Sequence, residues 1–166
     1  ADCFDVFPFI EDKSIDMILC DLPYGTTQNK DDIILPFDKI WEQYERIIKD
    51  NGAIVLFGQG LFFVDLINSN RKLFRYDLVW DKQLISGFLN ANRMPLRVHV
   101  NIAVFYKKLP TYNPQGIKEY GKVNKRGSVG NGGALANENN CYIQKFTNYP
   151  TQSLYYGYDK EKYHPT

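Results

Sequence analysis

The sequence predicts an α/β fold, a partial doubly wound sheet in which strands alternate with helices. Three observations predict it. Two short apolar runs, Ile15–Cys20 and Ala53–Phe57, each stop at a glycine-bearing segment, as buried strands do. Between them Phe37, Ile40, Trp41, Tyr44, Ile47 and Ile48 recur at helical spacing. From Phe74 onward the period changes to alternation, first through Tyr76, Leu78 and Trp80, then through Val98, Val100, Ile102, Val104 and Tyr106.

Taken in order, the first strand runs into Asp21-Leu22-Pro23-Tyr24-Gly25, and residues 26–35 read as a loop. Pro36 suits the first turn of a helix, and Gly52 stands where its C-cap would sit. Gly58 ends the second strand, and Leu61 to Asn68 reads as a short helix. Two alternating strands joined by a loop follow. The order strand, helix, strand, helix, strand, loop, strand is half of a doubly wound sheet. Ligands of such sheets sit beyond the carboxyl ends of strands, which is where Asp21 to Gly25 falls. After Leu109 the pattern fades. Residues 121–140 are rich in Gly, Asn and Lys and read as irregular. Gly127 to Gly133 follows no predicted strand and so does not read as a nucleotide loop.

A hydrophobic content of 44% and an aromatic content of 15% fit one globular domain. No stretch is apolar for long enough to span a bilayer, and no basic-then-apolar leader opens the chain. The three cysteines, Cys3, Cys20 and Cys141, are far apart and not in metal-ligand spacing. They imply a reduced, cytoplasmic setting and no metal site.

The net charge of +1 conceals a polarity. Residues 1–70 carry thirteen acidic and five basic side chains, net −8; residues 71–166 carry six and fifteen, net +9. Either the halves neutralise each other in the fold or the second half meets a polyanion. Six of the twelve tyrosines lie between Tyr142 and Tyr163, as a packed tail or as stacking partners for nucleic acid.

Asp21-Leu22-Pro23-Tyr24 carries the chemistry. An exocyclic amino group on a base is a poor nucleophile, because its lone pair is delocalised into the ring. To react it must be taken out of the duplex, held rigidly and offered acceptors for its N–H groups. Asp21 and the Leu22 carbonyl supply the acceptors, Pro23 stiffens the turn, and Tyr24 offers a stacking face. The same tetrapeptide is also ordinary turn chemistry.

Its surroundings decide between these. The chain resembles the β-group DNA amino-methyltransferases, whose catalytic motif is usually Asp-Pro-Pro-Tyr. Upstream, Ala1-Asp2-Cys3 and Asp12-Lys13-Ser14-Ile15-Asp16-Met17-Ile18 match segments of that family. Downstream, Gly25-Thr26-Thr27, Trp41-Glu42-Gln43, Asn51-Gly52-Ala53-Ile54-Val55-Leu56-Phe57-Gly58 and Trp80-Asp81-Lys82 look like one phage and bacterial branch. So do Gly87-Phe88-Leu89-Asn90-Ala91, Phe105-Tyr106-Lys107-Lys108 and the terminal His164-Pro165-Thr166.

The resemblance implies a Rossmann-like methyltransferase sheet, here about four strands of an expected seven. It implies direct transfer of a methyl group from S-adenosylmethionine to adenine N6 in double-stranded DNA, as in restriction–modification systems. Asp at the first motif position favours adenine N6; cytosine-N4 enzymes tend to have Ser there. Asp2, Cys3, Asp21, His164, Pro165 and Thr166 match positions near the cofactor. Residues 1–108 correspond to the catalytic half, 109–163 to target recognition, and 164–166 to the start of a cofactor motif. Lys107, Lys108, Lys118, Lys122, Lys125 and Arg126 are the candidate DNA contacts.

Three departures qualify it. Leu22 replaces a proline. Val100-Asn101 stands where this branch has acidic residues, and His99 beside it reads as a structural histidine. The Gly-rich cofactor loop, which in this group follows His-Pro-Thr, is not in the sequence. The expectation is a truncated or split enzyme whose cofactor half is a missing C-terminal part or a second chain. Homodimerisation is a further possibility, as is a non-enzymatic DNA-binding or oligomerisation remnant. A cytosine-N4 DNA methyltransferase and an RNA or protein-amide methyltransferase are the remaining alternatives. The first strand would then expose a sheet edge.

Overall fold

The computed structural model describes residues 2–30, 32–120 and 145–156. They form two compact units, one comprising the chain up to Thr111 with the segment from Gln152, the other spanning Tyr112–Thr151.

In the first unit the Asp2 carboxylate caps α1 (Cys3–Val6) by accepting the Phe4 N–H at 2.9 Å. A 3₁₀ turn at Phe7–Phe9 then buries Phe7. β1 (Ile15–Cys20), α2 (Phe37–Ile47), β2 (Ile48–Gly58), α3 (Gly60–Ser69), β3 (Phe74–Ser86) and β4 (Arg97–Phe105) follow. The second unit contains a small antiparallel pair, β5 (Lys118–Glu119) with β6 (Phe146–Thr147). The chain returns to the first unit as β7 (Ser153–Tyr155).

The main sheet has five strands in the order β1-β2-β4-β3-β7. β1 is parallel to β2 and β7 to β3, whereas β4 is antiparallel to both of its neighbours. One strand, β4, therefore runs against the other four. The α/β class is as the sequence implies, with one strand more. β7 lies in the stretch read as irregular and is only three residues long. That is too short for alternation to register as a pattern.

Packing follows the helical stripe. α2 buries Ile40, Trp41, Tyr44 and Ile47 against Ile54, Leu56, Ala103 and Phe105 of the sheet. α3 adds Phe62 and Leu66 to the same core. Trp41 meets Phe105 at 4.8 Å between ring centres, and its indole N–H donates to Ser69 Oγ at 2.7 Å. That bond ties α2 to the last turn of α3 and satisfies a donor that burial would otherwise make costly.

Two sequence expectations need correction. Gly52 does not cap α2: the helix ends at Ile47 and the chain enters β2 directly. Gly52 lies within β2, where a Cβ would sit 2.8 Å from the Asp16 carbonyl oxygen and 2.7 Å from Ile48. It permits close strand approach where the register jumps from Ile15↔Ile48 to Met17↔Ala53. The first strand is also not buried throughout. Ile15, Ile18 and Cys20 lean on the core, but Met17 and Leu19 are 53% and 60% exposed. Among the described residues only β2 flanks β1, so it forms an edge, as the sequence reading anticipated.

No helix of the described residues is long and apolar enough to cross a membrane.

Phe105 is fully buried at the centre of this core. Phe105→Ala is expected to lower the unfolding free energy by about 3–5 kcal/mol. Leu19→Ala, on the open side of β1, should cost no more than about 0.5 kcal/mol. Urea denaturation of both variants checks the assignment, and equal losses would contradict it.

Candidate active site

Strand direction assembles the site. The carboxyl ends of β1, β2 and β3 lie along one edge of the sheet, and reversed β4 brings its amino end there too. Gly58 is opposite Asn101, Asp81 opposite His99, and Ser86 opposite Arg97. The Asp21 turn leaves β1 at this edge.

The turn is anchored below and shaped above. Leu22 is 6% exposed and belongs to the core cluster. Packing thus fixes the position where the resemblance would put a stiff proline. Asp21 is exposed. The Tyr24 hydroxyl donates to Asp21 Oδ1 at 2.5 Å, and the Tyr24 ring stacks on Phe62 of α3 at 4.8 Å and 30°. Burial, and then the Asp21 carboxylate, hold the Tyr24 hydroxyl well above the ordinary phenol range, so it stays a donor. One carboxylate oxygen is thereby oriented and the other is left to accept an N–H. Phe62 occupies one face of the Tyr24 ring, so a planar ligand could stack only on the other.

Asp32 is part of this site and was not legible in the sequence. Its carboxylate accepts the N–H groups of Gly25, Thr26 and Thr27 at 2.8, 2.8 and 2.6 Å. Gly25 adopts φ +65°, and a Cβ there would approach Ile34 to 2.9 Å. The Thr27 side chain, with these amides, holds the Asp32 carboxyl down at about 2. The loop after Tyr24 is latched by one charged side chain. Only the glycine and the two threonines ahead of an aspartate hint at this, since loop geometry leaves no periodic trace.

A cleft of about 320 Å³ opens beside the turn. Its walls include Tyr24, Thr26, Ile34, Gln59, Phe62 and Arg97. Gln59 and Arg97 were not singled out as site residues by the sequence either; strand reversal brings them in.

The other sequence candidates are dispersed. Asp2 and Cys3 are exposed at the start of α1. Burial, then Cys20 and Cys3, raise the Tyr44 hydroxyl, so α1 lies near the end of β1. Lys107 and Lys108 are at the opposite edge of the sheet, where their ammonium groups meet Asp50 at 3.4 and 2.9 Å. The side chain of Lys108, then Lys107, holds the Asp50 carboxyl below its usual range. Lys118 is exposed on β5 of the second unit. Lys122, Lys125, Arg126, His164, Pro165, Thr166, Cys141 and the Gly127–Gly133 stretch lie outside the described residues. The His99 side chain is exposed, and its carbonyl accepts the Gln59 amide at 3.0 Å.

Of the residues the resemblance places near a cofactor, Asp2, Cys3 and Asp21 are described, Asp2 and Cys3 at the start of α1 and Asp21 just after β1. Among the described residues no group of His, Cys, Asp or Glu is arranged to hold a metal ion.

The fold defined here is an α/β fold with a mixed five-stranded sheet, and solved structures share it. The M1.HpyAVI–SAM complex superposes with a TM-score of 0.52 at 18% identity, over 72% of this chain and 60% of that one. The PvuII DNA methyltransferase, described as cytosine-N4-specific, gives 0.56 at 12% identity, over 98% of this chain and 57% of that one. The chain therefore spans little more than half the length of either structure. No protein-family model and no curated protein sequence matches it.

The Asp32 latch has a defined pH dependence. Its folded pKa is depressed, so the contribution is present above the ordinary value of 3.8 and lost as pH falls through about 2. The amide NMR signals of Gly25, Thr26 and Thr27 should stay fixed down to about 3.8 and move together near about 2. Movement already complete at the ordinary carboxylate value would contradict the latch.

Proposed function

We propose that this chain is the catalytic and target-binding part of a DNA methyltransferase that modifies the exocyclic amino group of an extruded base, with adenine N6 as the acceptor. The observation that carries this reading is the Asp21–Tyr24 hydrogen bond on a turn at the carboxyl edge of the sheet. In the proposed complex Asp21 accepts one amino N–H and the Leu22 carbonyl a second. This draws the nitrogen lone pair out of conjugation and fixes its direction. Tyr24 stacks against the ring of the base through its free face. Pro23 limits the turn's freedom to relax. The methyl donor is S-adenosylmethionine, which supplies an electrophilic methyl group. The likeness to a structure containing SAM supports this choice.

Double-stranded DNA is the proposed substrate. The basic half of the chain, through Lys118, Lys122, Lys125 and Arg126, supplies the counter-charge. The rest of the cofactor pocket is proposed to come from polypeptide beyond these residues, on the same or a second chain. Cytosine N4 is a second reading, favoured by the likeness to the cytosine-N4-specific PvuII structure across 98% of this chain.

Nucleoside mass spectrometry of DNA treated with the full-length protein and S-adenosylmethionine separates these readings. N6-methyladenine is the expected product; N4-methylcytosine would replace it with the second reading, and neither would overturn both. Asp21→Ala is expected to cut the rate at least about 100-fold, the scale of losing an oriented transition-state contact. Tyr24→Phe should cost about tenfold, because the carboxylate loses a charge-assisted hydrogen bond.

A further inference from the structure

Arg97 opens β4, and the reversal of that strand carries it to the edge where the Asp21 turn sits. It lines the same cleft as Tyr24. Its Nη1 donates to Gln59 Oε1 at 3.3 Å, and Gln59 Nε2 donates to the His99 carbonyl at 3.0 Å. The second bond fixes the amide: its NH₂ must face the carbonyl, so its oxygen must face Arg97. A backbone atom of β4 therefore holds Gln59, and Gln59 holds the guanidinium over the cleft.

Arg97 also differs electrostatically from the other candidate cations of this unit. Lys107 and Lys108 share the Asp50 carboxylate, which also lies 3.9 Å from Lys13, and Arg46 pairs with Asp12. Among the described residues no carboxylate pairs with Arg97. A guanidinium has five N–H donors in a planar fork, and the single contact to Gln59 leaves most of them available. Asp65, on the α3 side of the cleft, disfavours an anion there and confines it to the Arg97 side. The cleft's volume, about 320 Å³, is at the small end for ligand sites and suits one nucleotide rather than a duplex. A base and its own backbone phosphate are covalently joined at short range, so a cleft with Tyr24 on one wall and Arg97 on another meets both.

We propose that Arg97, oriented by Gln59, anchors a backbone phosphate of the extruded nucleotide while its base lies against the Asp21–Tyr24 turn. This rests on the DNA reading above. Arg97 is a contact residue in this scheme and Gln59 a positioning residue. The fork geometry of arginine allows two parallel hydrogen bonds to phosphate, which a lysine cannot reproduce.

The test is fluorescence anisotropy of the whole chain with a labelled mixed-sequence duplex carrying one central mismatch, across a salt series. A mismatched base is easily extruded. Arg97→Gln is expected to weaken binding about tenfold and to reduce the slope of log affinity against log salt by about 0.9. Arg97→Lys should keep the wild-type slope but recover only part of the affinity. Gln59→Ala should weaken binding in the wild-type chain and add nothing in Arg97→Gln. Arg97 is exposed, and circular dichroism verifies that its variants keep the fold. If the wild-type chain binds no DNA, the functional reading falls and the anchor with it. If it binds and Arg97→Gln keeps both affinity and slope, the anchor alone is overturned. A loss of affinity with an unchanged slope also overturns it, since the contact would not be to phosphate.

Discussion

Chain direction within the sheet decides which side chains share an edge, and every feature of the site depends on it. β1 and β2 are parallel, so the Asp21 turn and Gln59 leave the sheet side by side. β4 is antiparallel between β2 and β3, so its first residue joins them and its last is at the far edge. A parallel β4 would send Arg97 to the far edge and bring Lys107 and Lys108 to the site. The reversal is available because β3 and β4 are consecutive and joined by a loop rather than a crossover helix.

The turn must be both exposed and rigid, and three contacts reconcile those demands. Leu22 roots it in the core, Phe62 supports the Tyr24 ring, and Asp32 gathers the next three backbone amides. None of them covers Asp21. Hydrophobic packing supplies the rigidity from beneath, where water is already excluded, and charged hydrogen bonds supply it from the solvent side. The substitution of leucine for proline fits this division. Proline would restrict the turn through its ring, whereas Leu22 restricts it through burial.

Much of this was legible in the sequence, for identifiable reasons. α2 announced itself because one face repeats at helical spacing, and β3 and β4 because alternation follows the pleat. The Asp21 turn was legible because a strand ending at a proline and glycine is a local signal. What stayed hidden is long-range. Strand direction has no trace in periodicity, so the meeting of Gln59 with Arg97, which are distant in sequence, could not be read. Asp32 belongs to a loop, whose hydrogen bonds have no repeat. Gly52 was misread because a glycine after a helix resembles a cap, and only the neighbouring strand shows that Asp16 leaves no room for a Cβ.

The two edges of the sheet in the first unit hold their cations differently. At the edge bearing Asp50, Lys107 and Lys108 share one carboxylate, whereas at the edge bearing the Asp21 turn no carboxylate among the described residues pairs with Arg97. That contrast makes the central claim, that a nucleobase meets the Asp21 edge, directly measurable. The most direct measurement is amide NMR of the chain titrated with a short single-stranded oligonucleotide containing all four bases. The account predicts shifts centred on Asp21, Leu22, Tyr24 and Gln59. Shifts confined to Asp50, Lys107 and Lys108, with the Asp21 turn unmoved, would contradict it.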